Sequence, residues 1–410
     1  MRMAPSVLSK LPAPANWPDQ WGPRILAAGW MLFIAAFFLG PDKHSLRTIY
    51  YALVVVPALI WSRALIRQIN WRDPLWLSFA SAVLFLSMSA LWGADADSGH
   101  ALKAVKVTLF LTTLFLVARF LVQGGLLPFR LLTASILTLA VIVATASLVY
   151  NLYTILTASE RPGLEYMRLA GLGSQMNNPL IYAGIMGCGG LLALSEFFRE
   201  TRRPHQILLL LVIALLTLSL VLTMSRGAMI YFVAMSAMIA AVHFRQWRRT
   251  LLLLLLALLA AMPILLSPGK QSALQTNVTR PSYRPLIWSA VIAETRGQEL
   301  FGQGWPRDES LNTPEGRFGH SHNFVLGAYR FGGVIGLALF ITLIGLLLYR
   351  CTQLRRDIAV PLGAWLLFGI CLHLTNGRFP VSAPGHDWFY FWLPAALVYA
   401  FDQPDFHRQK

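Results

Sequence analysis

Long apolar runs, separated by short polar and basic segments, recur along almost the whole chain. Most of these runs reach roughly the 18 residues or more that mark a helix able to cross the hydrocarbon core of a bilayer. The pattern therefore predicts an all-α polytopic membrane protein with about twelve transmembrane helices. The predicted spans are 24–40, 46–61, 74–92, 101–122, 128–152, 178–198, 205–224, 227–244, 250–267, 323–349, 358–376 and 388–401.

The composition agrees with this class of protein. Hydrophobic residues make up 56% of the 410 residues, and the mean hydropathy of +0.57 is high for a soluble domain. Residues 1–23 are polar and proline-rich, without the apolar core of a cleavable signal peptide, so the first helix is expected to act as an uncleaved insertion signal. The three cysteines show no paired spacing, and no disulfide framework is expected.

The arrangement of basic residues predicts the orientation in the membrane. Arginines cluster in every second short loop, and the positive-inside rule assigns those loops and both termini to the cytoplasm. Topology thus accounts for much of the net charge of +16, and nucleic-acid binding is not expected. The predicted division is a cytoplasmic tail at 1–23, helices at 24–267, an outer loop at 268–322, helices at 323–401 and a second tail at 402–410.

Several arginines lie on the predicted outer side, where membrane insertion does not require positive charge. Arg168 precedes a middle helix, and Arg226 lies in a very short turn between two predicted spans. Arg280 and Arg284 lie in the outer loop. A guanidinium group is planar and suits bidentate recognition of phosphate, so these arginines are candidates for binding a phosphorylated ligand.

The outer loop contains an amphipathic segment. Pro285 fits the first turn of a helix, and the apolar residues at 287, 288, 291 and 292 share one helical face. This face is predicted to lie on the membrane or over a cavity. The Gly302-Gln303-Gly304-Trp305 segment that follows is predicted to form a turn.

A histidine pair marks the point where the outer loop re-enters the membrane. His320-Ser321-His322-Asn323 directly precedes an apolar helix that carries Gly332, Gly333 and Gly336. Because the unperturbed pKa of histidine is near 6.5, such a residue suits general acid–base catalysis at neutral pH. Capping of the helix start is the structural alternative for His322. The spacing of Gly332 and Gly336 predicts close packing against a neighbouring helix.

Four local patterns, in this order and on this topology, resemble the O-antigen ligase family, which shares a superfamily with O-antigen polymerases and bacterial O-oligosaccharyltransferases. The most specific pattern is His322-Asn323, nine residues, and then Gly333-Val334-Ile335-Gly336, and this spacing favours His322 over His320. Trp288 stands where the family often has leucine, which leaves both Arg280 and Arg284 as candidates for the loop arginine. The other patterns are Arg168-Leu169-Ala170-Gly171 with Asn177-Asn178-Pro179, Ser225-Arg226-Gly227-Ala228, and Arg284 with Ile287-Trp288 and Gly302-Gln303-Gly304.

The resemblance implies a GT-C-like glycosyltransferase of the bacterial inner membrane, with its active site facing the periplasm. The expected partners are an undecaprenyl-pyrophosphate-linked glycan as donor, lipid A-core as acceptor, and membrane lipid. His322 is the expected catalytic base. The expected substrate-binding residues are Arg226, Arg284, Arg168, Asn323, Arg280 and Asp387.

The expected chemistry requires no cofactor and no metal. Fixed guanidinium groups stabilise the charge that grows on the leaving diphosphate, while a histidine removes the proton of an attacking sugar hydroxyl, and a single attack inverts the anomeric centre. Asp95-Ala96-Asp97 is expected to be solvated rather than a metal site. O-antigen polymerase and protein O-oligosaccharyltransferase activities remain alternatives with the same donor chemistry. A membrane transporter is a further alternative, disfavoured because no inverted repeat or intramembrane acidic relay is evident.

Overall fold

The computed structural model describes residues 21–94, 96–157, 168–173, 176–246, 249, 282–306 and 308–402. These residues form helices joined by short connections, with one small hairpin in the outer-loop segment. The helices are α1 (Trp21–Leu39), α2 (Lys43–Tyr50), α3 (Val56–Ile60), α4 (Ser62–Arg67), α5 (Pro74–Met88), α6 (Ser98–Gln123), α7 (Phe129–Thr157), α8 (Pro179–Arg199), α9 (Arg203–Leu222), α10 (Arg226–Val242), α11 (Arg284–Glu294), α12 (Phe324–Gln353), α13 (Arg356–Asn376) and α14 (Leu393–Phe401). The hairpin pairs β1 (Leu311–Thr313) with β2 (Gly316–Phe318) in antiparallel register. Tyr51–Val55 and Trp388–Trp392 are π-helical, and Ser89–Leu91 and Phe244–Gln246 are 3₁₀-helical.

Within the described residues, eight helices are long and apolar enough to cross a membrane, namely α1, α5 with its 3₁₀ extension, α6, α7, α8, α9, α12 and α13. Arg226–Val242 and Trp388–Phe401 are apolar but shorter. The predicted all-α polytopic class is confirmed. The predicted span 46–61 is helical but divided among α2, a π-helical turn and α3. The predicted span 250–267 lies outside the described residues, so a total of twelve remains a prediction.

The last helix lies at the centre of the bundle. Every residue of Trp388–Trp392 and of α14 is buried, as expected for a helix that is hydrophobic on all sides and enclosed by protein. Helices α6, α12 and α13 pack along it. The rings of Phe79 and Phe115 stack at 3.9 Å, and both meet Trp392 at steep angles. Such aromatic pairs each contribute about 0.5–1.5 kcal/mol beyond area burial, so this cluster anchors the core.

Helix α12, which follows the histidine pair, is broken at Gly333. Gly333 has φ 62° and ψ −161°, a conformation that is essentially restricted to glycine. The break frees the carbonyl groups of Arg330 and Phe331, which accept the backbone N–H groups of Gln303 at 2.8 Å and Gly304 at 3.1 Å. The outer-loop segment thus supplies the hydrogen bonds that the helix lacks.

The predicted Gly302–Gly304 turn therefore lies against helix backbone rather than beside a ligand. Gly302 and Gly304 both have positive φ. A Cβ atom on Gly302 would lie 2.5 Å from the backbone nitrogen of Gly333, so no side chain fits there. The prediction of close packing at Gly332 and Gly336 is also confirmed, because both glycines face Leu86 of α5.

The two ends of the bundle differ in their charged residues. Helix α12 begins next to His322, and near its far end Arg350 forms ion pairs with Asp73 at 2.8 Å and Asp402 at 2.7 Å. Arg199, another arginine of the predicted cytoplasmic side, pairs with Glu196 at 2.7 Å. These two arginines of the predicted cytoplasmic side thus have carboxylate partners, and the arginines near His322 form a separate group.

We expect Gly333→Ala to destabilise the protein. The required backbone conformation costs a non-glycine residue about 1–3 kcal/mol, and the new Cβ would overlap the carbonyl oxygen of Leu300. Thermal unfolding in detergent should show a lower midpoint for this variant. Gly345→Ala, on the same helix, is the matched control, because nothing lies within 4 Å of its Cβ position. An unchanged midpoint for Gly333→Ala would contradict the role of the break.

Candidate active site

A cleft of about 340 Å³ opens at the end of the bundle where α12 begins and α13 ends. Its lining includes Arg168, Arg226, Arg284, His322 and Asp387. These predicted residues come from five separate segments, so the fold brings together groups that are far apart in the chain. Of the other two predicted residues, Asn323 does not line the cleft, and Arg280 lies outside the described residues.

His322 is held at the mouth of the cleft by its own backbone and by Asn376. Its φ of 51° is positive, a conformation in which histidine is enriched among non-glycine residues. Its ring Nδ1 lies 3.0 Å from Oδ1 of Asn376, the last residue of α13. When Nδ1 donates its proton to that oxygen, the lone pair of Nε2 is oriented to accept a proton.

The structure assigns the helix-capping role to Asn323 rather than to His322. The Asn323 side-chain oxygen accepts the backbone N–H groups of Val325 at 3.0 Å and Leu326 at 3.1 Å. These contacts satisfy two of the free N–H groups at the start of α12. Asn323 therefore has a clear structural function, and its predicted contact with substrate stays untested.

His320 supports His322 from the adjacent loop. Its Nδ1 accepts the backbone N–H of His322 at 3.1 Å, and the two ring centroids are 4.0 Å apart. Burial lowers the pKa of His320 to about 3, and the positive charges of His322 and Arg378 act in the same direction. His320 is therefore neutral at physiological pH and acts on the position of its neighbour.

The environment of His322 favours the neutral imidazole. Burial lowers the pKa of His322, the hydrogen bond that the imidazole donates to Asn376 opposes this shift, and the charges of Arg284 and Arg378 lower the pKa further. A general base must be unprotonated before it accepts a proton. His322 is thus in the required form at neutral pH, and it is expected to remain so below pH 6.5.

The three cleft arginines are held by different backbone elements. Arg226 is the first residue of α10, after Ser225 at the N-cap. Arg168 donates from Nε to the carbonyl oxygen of Thr223 at 2.8 Å. Arg284, the first residue of α11, donates from Nε to the carbonyl oxygen of Thr375.

Arg226 and Arg284 are close enough to interact with each other. Burial lowers the pKa of Arg284, with Tyr231 opposing this shift and the positive charge of Arg226 adding to it. Two like charges in a partly buried cleft repel each other unless an anion lies between them. The arrangement therefore suits a ligand with negative charge.

Helix starts add to this positive potential. The cleft is lined by the first turns of α8, α10 and α11, through Leu180, Arg226 and Arg284. The backbone N–H groups and the dipole at a helix N-terminus favour anions. Three such ends together with the arginines make this end of the bundle suited to a phosphate or diphosphate group.

Asp387 contacts two histidines of the cleft wall. Its Oδ1 lies 3.2 Å from Nε2 of His386 and 3.8 Å from Nδ1 of His373, whereas the orientation of His322 depends on Asn376. Burial acts to raise the pKa of Asp387, but His386, His373 and Arg378 outweigh it and hold the pKa below its usual value. Asp387 is therefore an ionised group in the cleft wall.

The sequence reasoning missed several residues that shape this site. Asn376, His373 and His386 line the cleft, but their proximity depends on the packing of α13 against the last helix. The importance of Arg330 was recognisable from the sequence, because a charged residue inside an apolar span is uncommon. Its guanidinium group pairs with Glu294 Oε2 at 2.8 Å and donates to the carbonyl oxygen of Glu309 at 2.7 Å. Arg330 thus ties the outer-loop segment to α12.

No group of three or more His, Cys, Asp or Glu residues that could hold a metal ion occurs in the part of the chain that the structure describes. Asp95 lies outside that part. The Asp97 side chain accepts the backbone N–H of His100 at 2.7 Å and so caps α6. Independence from metal stays a prediction.

The comparison with known proteins bears on this geometry. The model of the O-antigen ligase family matches residues 210–341, a range that contains Arg226, Arg284 and His322. An O-antigen ligase of Pseudomonas aeruginosa is 28% identical over 382 residues, which cover 92% of this chain and 90% of that protein. The chain is therefore similar to members of the O-antigen ligase family. This confirms the resemblance drawn from the sequence and the class of enzyme, a ligase-type glycosyltransferase.

We expect Asn376→Ala to lower the rate of glycan transfer by about tenfold, since the variant loses one orienting hydrogen bond. Because this bond raises the pKa of His322, its loss should also move the acidic limb of the pH–rate profile to lower pH. The measurement is the transfer rate from pH 4 to 8. Asn312→Ala, at an exposed hairpin position, serves as the control. A slower variant with an unmoved acidic limb would indicate a merely structural role for Asn376.

Proposed function

We propose that this protein transfers an O-antigen polysaccharide from undecaprenyl pyrophosphate to a sugar hydroxyl of lipid A-core, on the periplasmic face of the inner membrane. The observation that carries this proposal is the convergence of Arg168, Arg226, Arg284 and His322 on one cleft. Cations for a diphosphate and a neutral imidazole for a hydroxyl proton are the two groups that such a transfer requires.

The positively charged residues of the cleft are the basis for the proposed donor. Neither nucleotide sugars nor ATP are present on the outer face of the membrane, so the glycan must carry its own leaving group. A lipid-linked diphosphate provides one, and its polyprenyl chain remains in the bilayer. As the bond between sugar and phosphate breaks, negative charge grows on the leaving oxygen, and preorganised guanidinium groups stabilise it most strongly in the transition state.

The acceptor step is assigned to His322. Nε2 takes the proton of the acceptor hydroxyl while its oxygen attacks the anomeric carbon, and the diphosphate departs from the opposite side. The proton thus ends on the imidazole, the new glycosidic bond replaces the old one, and the configuration inverts. Asn376 keeps the proton of His322 on Nδ1 throughout, which leaves Nε2 as the accepting atom.

The choice of acceptor needs a direct test, because O-antigen polymerases and protein O-oligosaccharyltransferases use the same donor chemistry. The experiment is reconstitution of the purified protein with lipid-linked glycan and, in separate reactions, lipid A-core, a second lipid-linked glycan or an acceptor protein. Transfer to lipid A-core supports the proposal. Transfer only to another acceptor, or flux of a solute without any transfer, would contradict it.

His322→Ala is expected to reduce transfer by about 10²–10⁴-fold, the usual contribution of a general base. His320→Ala should be much milder, because His320 contacts the backbone of His322 and does not line the cleft. Both variants should insert and fold as the wild type does, which thermal unfolding in detergent checks. If His322→Ala retained more than about a tenth of the activity, a base role of this size would be excluded.

Arg226→Ala and Arg284→Ala are each expected to reduce transfer by about 10²-fold, since each removes a charge-assisted contact with the donor. The Lys variants should recover only part of this loss, because a point charge does not reproduce a bidentate fork. Initial rates are measured while donor and acceptor are varied in turn. Arg296→Ala is the control, an exposed arginine at the end of α11. Normal donor binding with a defect only toward acceptor would show that the arginine was wrongly assigned.

A further inference from the structure

The segment 377–387, which joins α13 to the last helix, carries a cation that the proposed reaction does not use. Arg378 is exposed, and it interacts electrostatically with His320, His322 and Asp387 at the cleft. It also interacts with Lys43, the first residue of α2. Arg378 therefore interacts electrostatically both with residues of the cleft and with a lysine of α2.

Lys43, Arg47 and Arg378 form a basic cluster beside the cleft. Arg47 donates from Nε to the carbonyl oxygen of Pro384, in the same segment as Arg378, at 3.2 Å. Burial lowers the pKa of Lys43, and the charges of Arg378 and Arg47 lower it further, while Asp387 opposes the shift. Three cations from two segments are thus held together, although their mutual repulsion opposes this arrangement.

Three carboxylates lie near the basic cluster, and each also has partners outside it. Asp42, directly before Lys43, accepts the backbone N–H of Ser45 at 2.7 Å. Oδ1 of Asp387 faces the two imidazoles of His386 and His373. Glu309 accepts the indole N–H of Trp305 at 3.3 Å, and burial raises the pKa of Glu309. The cluster therefore keeps an excess of positive charge, which favours an anionic ligand.

We propose that the basic cluster is a second anion-binding subsite, which holds a phosphate group on the sugars of the acceptor glycolipid. This inference rests on the proposed function, and it adds the chemical class of the acceptor. The proposal assigns the two substrates to two groups of residues. The donor diphosphate binds Arg168, Arg226 and Arg284, and the acceptor binds Lys43, Arg47 and Arg378.

The proximity of His322 to both groups supports the assignment. Its imidazole interacts with Arg284 of the donor group and with Arg378 of the basic cluster. The base must meet the acceptor hydroxyl at the point where the donor sugar leaves its diphosphate. An anionic acceptor bound at the basic cluster would therefore place a nearby hydroxyl within reach of Nε2.

Anionic phospholipid headgroups share this chemistry and are the competing source of the anion. The experiment uses full-length wild type, Arg378→Gln, Arg378→Lys, Lys43→Gln and Arg296→Gln, reconstituted in zwitterionic liposomes with and without anionic phospholipid. The substrates are polyprenyl-diphosphate glycan and lipid A-core with its core phosphates either intact or enzymatically removed. Donor KM, acceptor KM and kcat are determined for each pair.

We expect Arg378→Gln and Lys43→Gln to raise the KM for the phosphorylated acceptor by about tenfold or more, since each loses a contact with a charged group. This rise should shrink toward the wild-type value when the core phosphates are removed. Donor KM should stay within about threefold of wild type, which also shows that the variants are folded, and Arg378→Lys should recover part of the loss. Arg296→Gln removes a charge outside the cleft lining and should leave all three constants unchanged.

The outcomes separate this inference from the function on which it rests. If Arg378→Gln and Lys43→Gln leave acceptor KM unchanged, or raise it equally for both acceptors, the subsite is wrong while wild-type transfer still supports the proposed function. If the effect of the variants depends on anionic phospholipid and not on the core phosphates, the cluster binds bilayer headgroups instead. If the wild type transfers glycan to no lipid A-core acceptor, the proposed function and this inference both fail.

Discussion

The position of Arg284 in the cleft depends on how the outer-loop segment pairs with the backbone at the break in α12. At Gly333 the helix loses part of its internal hydrogen bonding, and the backbone of residues 299–304 provides the missing partners. Unpaired backbone groups in an apolar region cost several kcal/mol each, so the loop and the helix are held together by a strong requirement. Arg330 adds a partly buried ion pair with Glu294 at the same junction. The loop helix α11 is thereby fixed over the cleft, and with it Arg284.

With the outer-loop segment in place, the charged residues of the cleft determine which ligand it suits and the protonation state of His322. Arg226 and Arg284 lie at helix starts, where the backbone already favours anions, and His322 lies in the same cleft in a partly buried position. Burial and neighbouring cations both keep the imidazole neutral. The same cations that suit a diphosphate therefore also maintain the base in its active form. The Asp387 carboxylate, paired with His386, contributes a negative charge to the opposite part of the wall.

Several predicted residues have roles that are structural as well as chemical. Asn323 adjoins the proposed base, yet its side chain caps α12. Gly302 and Gly304 belong to a pattern of the family, yet they allow two backbones to approach each other. The glycine motif after His322 combines a helix break at Gly333 with close packing of Gly332 and Gly336 against Leu86. A sequence pattern can thus mark an active site because it builds the backbone that holds the catalytic residue.

The sequence alone determined the membrane class, the resemblance to the O-antigen ligase family and five of the residues that line the cleft, because hydrophobic length, helix-start signals and motif spacing are local properties of the chain. It correctly predicted α11 with its proline in the first turn, and it placed His322 and the cleft arginines as a set. Only the tertiary structure decided the partners of each side chain. Asn376, 54 residues after His322, orients the imidazole, Asp387 pairs with His386 rather than with His322, and Arg378 joins the cleft to Lys43. These contacts depend on how helices pack against one another, and side chains that are distant in sequence meet only when that packing is complete.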